Sequence, residues 1–203
     1  MKSTSREPDR LLLATDAVVA IAITLLVLPL VELVAEPEPH ARDVVTENWP
    51  RIWSFVLSFA VITRFWLLHH RTFDHVTRYS RPLVAVNMLW LFTIAIMPFP
   101  TGMVGTYGTD HFTATLYVAT VLASSVCQSA LVVVIYRTPA IQSPDNPLGV
   151  ANVASTLSAT GLLAVALLLT ALAPGVNYLS LLLLVLSTLA NRVWDRFRPV
   201  ARG

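Results

Sequence analysis

Continuous apolar runs of about 20 residues constrain this chain more than anything else in it. A helix needs about 20 mostly apolar residues to cross roughly 30 Å of hydrocarbon. Six stretches are long enough: residues 11–34, 52–70, 83–104, 112–136, 148–172 and 176–190. Lipid offers no partner to an unpaired backbone group, so each run is expected as a helix. None alternates polar and apolar residues, which excludes an outer-membrane β-barrel. Charged residues are 13% of the 203, about half the share in a soluble domain. That excludes a water-soluble globule and a disordered chain. The expected fold class is all-α integral membrane, one six-span domain over 1–203 with short loops. The fifth run is diluted at its start by Asn152, Ser155, Thr156 and Ser158, and the sixth is the shortest. The first is too long for the apolar core of a secretory signal and is expected as an uncleaved span.

The polar segments between the runs alternate in sign. Lys2, Arg6 and Arg10 precede the first span, and Arg71, Arg78 and Arg81 join the second and third. Arg137 joins the fourth and fifth, and Arg192, Arg196, Arg198 and Arg202 follow the sixth. The opposite loops carry Glu36, Glu38, Asp43, Glu47 and Asp110 against Arg42 and Arg51. The positive-inside rule then puts both termini in the cytoplasm, with Trp49 and Trp53 as an outer aromatic belt. The same clustering assigns the basic residues to membrane topology rather than to nucleic acid. Segment 36–39 is expected as an extended outer linker and 139–147 as a stiff inner turn. Cys127 is the single cysteine, so no disulfide or cysteine metal site forms within one chain.

Ionisable groups inside spans cost about 2.5–3.5 kcal/mol each on insertion scales, which makes them default functional candidates. Asp16 lies about 9 Å into the first span at 1.5 Å per residue. Arg64 lies at a similar depth in the second span, with His69 and His70 near its inner mouth. Asp16 can therefore meet Arg64 or a histidine at one level. Such a pair is a packing clasp, a proton relay or part of a gate, and spacing does not choose among them. Adjacent His69 and His70 point about 100° apart on a helix and share a metal poorly. His40, His75 and His111 are expected as solvated loop residues.

No catalytic motif is present: no His-Glu-x-x-His, no Gly-x-Ser-x-Gly and no phosphate-cradling loop. Seven glycines in the whole chain also argue against a nucleotide loop. No enzyme, catalytic residue or cofactor is expected. Residues 101–108 faintly echo the Thr-Val-Gly-Tyr-Gly carbonyl filter of potassium channels. Pro98 and Pro100 lead out of the third span and the fourth begins at Phe112, so no residues remain for a re-entrant loop. An outer turn is expected there.

The first span runs Arg10, Leu11-Leu12-Leu13, Ala14-Thr15-Asp16, and then an Ala20-Ile21-Ala22-Ile23-Thr24-Leu25 stretch. This resembles the signature of the transmembrane protein 175 family of cation channels: Arg, three residues, Phe-Ser-Asp, then an Ala-Ile…Thr-Leu run. Trp66-Leu67-Leu68-His69-His70 is similar to the family's Trp-x-x-His-His, and Asn87 with Pro98-Phe99-Pro100 extends the likeness. The aromatic of Phe-Ser-Asp is missing, replaced by Ala14, while Thr15 keeps the hydroxyl.

The resemblance implies a homotetrameric, potassium-permeable channel in a prokaryotic plasma membrane. Its central pore would be lined by four copies of the first helix. Its partners are sister subunits, the bilayer and monovalent cations, and permeating K⁺ is the only metal ion implied. Apolar rings would form the constriction in place of a carbonyl filter. The family's pore positions fall on Ile21, Thr24, Leu25 and Leu28, and the intramembrane polar network on Arg10, Thr15, Asp16, Arg64, His69 and His70. At about 100° per residue the four pore positions lie within roughly 60° of Ile21, and Asp16 lies about 140° away. Lipid contact for the same four side chains remains open, because every side of this helix is apolar. So does a proton-coupled transporter or proton-leak channel using Asp16 and the second-span histidines.

Overall fold

The computed structural model of the chain describes residues 6–34, 40–108 and 110–172. The helices in chain order are α1 (Arg6–Leu25), α2 (Leu28–Glu32), α3 (Ala41–Glu47), α4 (Trp49–Phe73), α5 (Arg81–Ile96), α6 (Pro98–Tyr107), α7 (His111–Arg137) and α8 (Val150–Leu172). Five segments among them are long and apolar enough to span a bilayer: Arg10–Glu32, Trp49–Phe73, Arg81–Tyr107, His111–Arg137 and Val150–Leu172. They fall on the first five apolar runs. The sixth run, 176–190, the linker at 36–39 and the C-terminal arginines lie outside the described residues. The short α3 was not expected; it carries Asp43 and Glu47.

Two of the spans are broken, each by proline. Pro29 has no N–H to donate and its ring crowds the carbonyl four residues back, that of Leu25. Leu26 and Val27 accordingly donate to carbonyls three residues back, Ile23 at 3.3 Å and Thr24 at 3.2 Å. The first span therefore stops at Leu25 and resumes as α2. In the third span Met97 donates to Ile94 at 3.1 Å, and α6 restarts with Pro98 in its first turn. Residues 101–107 are thus helical, not the expected turn, and Thr101 is buried. The helix stops at Gly108, whose φ of 65° suits a residue without Cβ.

The core is built around α7, which buries Tyr117, Val118, Val121, Leu131, Val132 and Ile135 and packs against α4, α5, α6 and α8. Small and hydroxyl side chains bring these helices close, as is usual where apolar area alone gives no preference for helix over lipid. Ser58 of α4 meets the Tyr117 hydroxyl at 3.1 Å. It also accepts from Thr101 of α6 at 2.8 Å. Ser125 and Ser129 of α7 both reach Thr160 of α8 at 2.7 Å. At Gly105 a Cβ would sit 2.9 Å from Ser54 Oγ and 3.2 Å from the Arg51 Cα, so α6 can lie this near α4 only without a side chain.

At the arginine-bearing end, the α4–α5 and α7–α8 loops are strapped together. Thr77 N–H donates to the Ile141 carbonyl at 2.9 Å and Ser143 N–H to that of His75 at 2.8 Å. His75 Nδ1 meets the Asn146 carbonyl at 2.8 Å, so this histidine is tied down rather than simply solvated. Gln142 completes the strap, donating to the Ile135 carbonyl at 2.8 Å and accepting from Leu148 N–H at 3.0 Å.

Candidate functional site

The first helix presents two different sides. Thr15, Val19, Ala22 and Leu26 recur at spacings of four, three and four, one stripe of an α-helix, and all four are buried against the bundle. Ile21, Leu25 and Leu28 are 59%, 41% and 50% exposed. Thr24 is exposed with them, its hydroxyl donating to the Ile21 carbonyl at 2.8 Å. Ala14 and Ala17 continue the exposed side toward Arg10. Among the described residues, none encloses the Ile21–Thr24–Leu25–Leu28 stripe.

The side turned into the subunit is held by two polar arms. In the first, Asp16 accepts from Trp66 Nε1 at 2.9 Å and lies 3.6 Å from His70 Nε2. Trp66 and His70 are four residues apart on α4, hence on one face, and their rings meet edge to face at 4.7 Å. Both ends of the Asp16–His70 contact remain about one-third exposed, at 32% and 34%. In the second arm Asn87 of α5 donates to Thr15 Oγ1 at 3.1 Å. With its amide nitrogen so committed, Asn87 Oδ1 takes the N–H of His69 Nε2 at 2.7 Å. The His69 ring is stacked between Phe73 and Trp90, both at 4.3 Å between centroids. Adjacent residues of α1, Thr15 and Asp16, thus reach separate helices, α5 and α4.

Of the expected polar network, the structure brings Thr15, Asp16, His69 and His70 into this two-armed clasp. Arg10 is exposed and hydrogen-bonds none of these side chains. Arg64 is half-buried. It sits about 200° around α4 from Trp66 and about 120° from His70, so the carboxylate meets the histidine side of the helix. Trp66 and Asn87 were not foreseen as its hydrogen-bonding members. The signal was there: a buried amide in an apolar span must find partners, and a Trp one turn before a His shares its face.

The family model described as "Endosomal/lysosomal potassium channel TMEM175" matches residues 10–98, the stretch from Arg10 through both arms of the clasp to the third-span break. A potassium channel of Streptomyces collinus is 33% identical over 129 residues, 62% of this chain and 63% of that protein. A potassium channel of Chamaesiphon minutus is 35% identical over 109 residues, 50% of this chain and 51% of that one. The human endosomal/lysosomal proton channel TMEM175 is 26% identical over 138 residues, 68% of this chain but 27% of the human protein. The chain therefore spans less than two-thirds of each of these relatives. Among solved structures, the crystal structure of a lysosomal potassium-selective channel TMEM175 homolog from Chamaesiphon minutus superposes with a TM-score of 0.70 at 28% identity. That likeness covers 92% of this chain and 97% of the other. The first-helix signature, the clasp and the fold all point one way: over residues 10–98 the chain is similar to the transmembrane protein 175 family, and it shares the fold of the Chamaesiphon homolog.

Proposed function

We propose that the chain is a potassium-permeable cation channel, a homotetramer in a prokaryotic plasma membrane with four copies of α1 around the pore. The observation that carries this reading is the contrast between the two sides of α1. One side is fastened by Thr15 and Asp16 to α5 and α4; the other, with Ile21, Thr24, Leu25 and Leu28, is left exposed by the described helices. The relatives named as potassium channels support it. The proposal includes a sixth span over 176–190 and both termini in the cytoplasm, so that the arginine-bearing end is inside, as the positive-inside rule requires.

The chemistry of the stripe sets how such a pore works. An apolar ring cannot replace an ion's water, and stripping an ion bare in a low-dielectric neck would cost tens of kcal/mol. Ile21 must therefore draw aside far enough to pass a partly hydrated ion, and its closed state is a neck that excludes water. Potassium gives up water more readily than sodium, so a dehydrating neck favours it. Thr24 supplies the one hydroxyl of the stripe, just beyond the ring. Selectivity is modest, since no oxygen cage is built. Ile21→Asn, assayed as cation flux in liposomes, is expected to raise flux or lower the preference for K⁺ over Na⁺. Unchanged flux and preference would remove Ile21 from the pore.

A second reading is favoured by the Asp16–His70 pair, an ionisable contact left one-third open, and by the relatives named as proton channels. Here the chain leaks protons or couples their movement to transport. A proton flux that persists without K⁺ and disappears in Asp16→Asn would select it.

A further inference from the structure

Away from the Ile21 stripe, α2, α4 and α6 enclose a cleft of about 550 Å³, within the roughly 300–1,000 Å³ of small-molecule sites. Its apolar lining includes Leu30, Phe55, Phe99 and Met103, and its charged lining is one residue of each sign, Glu32 from α2 and Arg51 from α4. Neither is in an ion pair with another described residue. Two opposite charges that share a cleft without closing on each other leave both counter-charges to be supplied from outside. Trp49 and Trp53, 58% and 55% exposed, flank Arg51 along α4 and mark the level at which lipid headgroups lie.

We infer that this cleft binds one zwitterionic amino-phospholipid. Its phosphate sits on Arg51, its primary ammonium on Glu32, and an acyl chain lies over Phe55, Phe99 and Met103. Headgroup chemistry separates this occupant from other lipids. An anionic phosphatidylglycerol headgroup would pair its phosphate with Arg51 but bring no positive charge to Glu32. A choline headgroup carries the positive charge but no N–H for a charge-assisted hydrogen bond to the carboxylate. The ammonium–phosphate pair meets both side chains at once. On the proposed topology the lipid belongs to the outer leaflet. Because Pro29, Leu30 and Glu32 come from α2, the bound lipid touches the continuation of the pore helix beyond its break. That consequence for the outer mouth rests on the channel reading; the binding site does not.

The test uses the full-length protein, stripped of lipid in detergent and offered phosphatidylethanolamine, phosphatidylcholine or phosphatidylglycerol with identical acyl chains. Retained lipid is counted by native mass spectrometry. Phosphatidylethanolamine is expected to be retained roughly fivefold over the other two, the size of one exposed charge contact. Glu32→Gln is expected to erase that preference, and Arg51→Gln to lower retention of all three. Phosphatidylglycerol ranking first on the wild-type protein would overturn the proposal, as would a ranking that neither substitution alters. Retention of none of the three would overturn it too. The wild-type ranking needs no substitution, so a variant that fails to fold leaves the test standing. The readout is binding, so a negative result leaves the channel reading untouched, and an absence of flux leaves the lipid site untouched.

Discussion

The first and fourth spans are both apolar and of similar length, yet the bundle uses them in opposite ways. In the most apolar window of His111–Arg137, 56% is buried within the chain; for Arg10–Glu32 the figure is 22%. Hydropathy cannot separate them, because the first span is if anything the more apolar of the two. The difference lies in what each helix does with its small and polar residues. Along α7, Tyr117, Ser125, Gln128 and Ser129 each meet a side chain of another helix. Along α1, among the described residues, such contacts are those of Thr15 and Asp16. The lesson is that α7 is made to be enclosed by the described helices, whereas α1 is fastened to them along one line and left exposed by them on the rest.

Substitutions can break or sharpen that contrast. The largest loss is expected at Tyr117→Ala, which empties a fully enclosed site on α7 and deprives Ser58 of a partner. Core aromatic deletions cost about 3–5 kcal/mol, to be read as a fall in the melting temperature of the detergent-solubilised protein. Asn87→Leu comes next. It leaves Thr15 and His69 without their shared partner at about 1–3 kcal/mol for each orphaned group, and should loosen α1 while α7 and α8 stay packed. Hydrogen exchange would show whether the extra exchange is confined to α1. Gly105→Ala drives a methyl group into Ser54 and the Arg51 backbone, an overpacking cost of about 1–3 kcal/mol visible in the same melting assay. Ile21→Asn, by contrast, should change stability by no more than about 0.5 kcal/mol, as for an exposed position, even though flux changes. If it melted like Tyr117→Ala, the stripe would be core and the contrast between the two spans would fail.

Much of this architecture was legible in the sequence, for a physical reason. Five apolar runs and five spanning segments coincide because the bilayer demands length and continuity, both of which one chain displays. The breaks were less legible. Pro29 and Pro98 announce a disturbance, but where the helix stops depends on which carbonyls the preceding residues can still reach. The 101–108 segment reads as a turn because Pro98 and Pro100 look like an exit from the span; in the fold Pro98 instead starts α6 in its first turn. In place, Gly105 serves close packing on α4, and only Gly108 ends a helix. The polar clasp was half legible. Asp16 and the histidines stood out as charges in lipid, while the choice of Trp66 and His70 over Arg64 depends on angular position around α4. The use of the Ile21 stripe is written in no single chain, because its counterpart would be the same stripe on another copy.

The strap between the two loops at the arginine-bearing end has a mechanical consequence. By stitching Thr77 and His75 to Ile141, Ser143 and Asn146, it couples the α4–α5 end to the α7–α8 end and resists their separation at that edge. The N-terminal helix carries no stitch in that strap. On the proposed channel reading, opening is a displacement of α1 as a rotor against that frame, with Thr15 and Asp16 as its bearing.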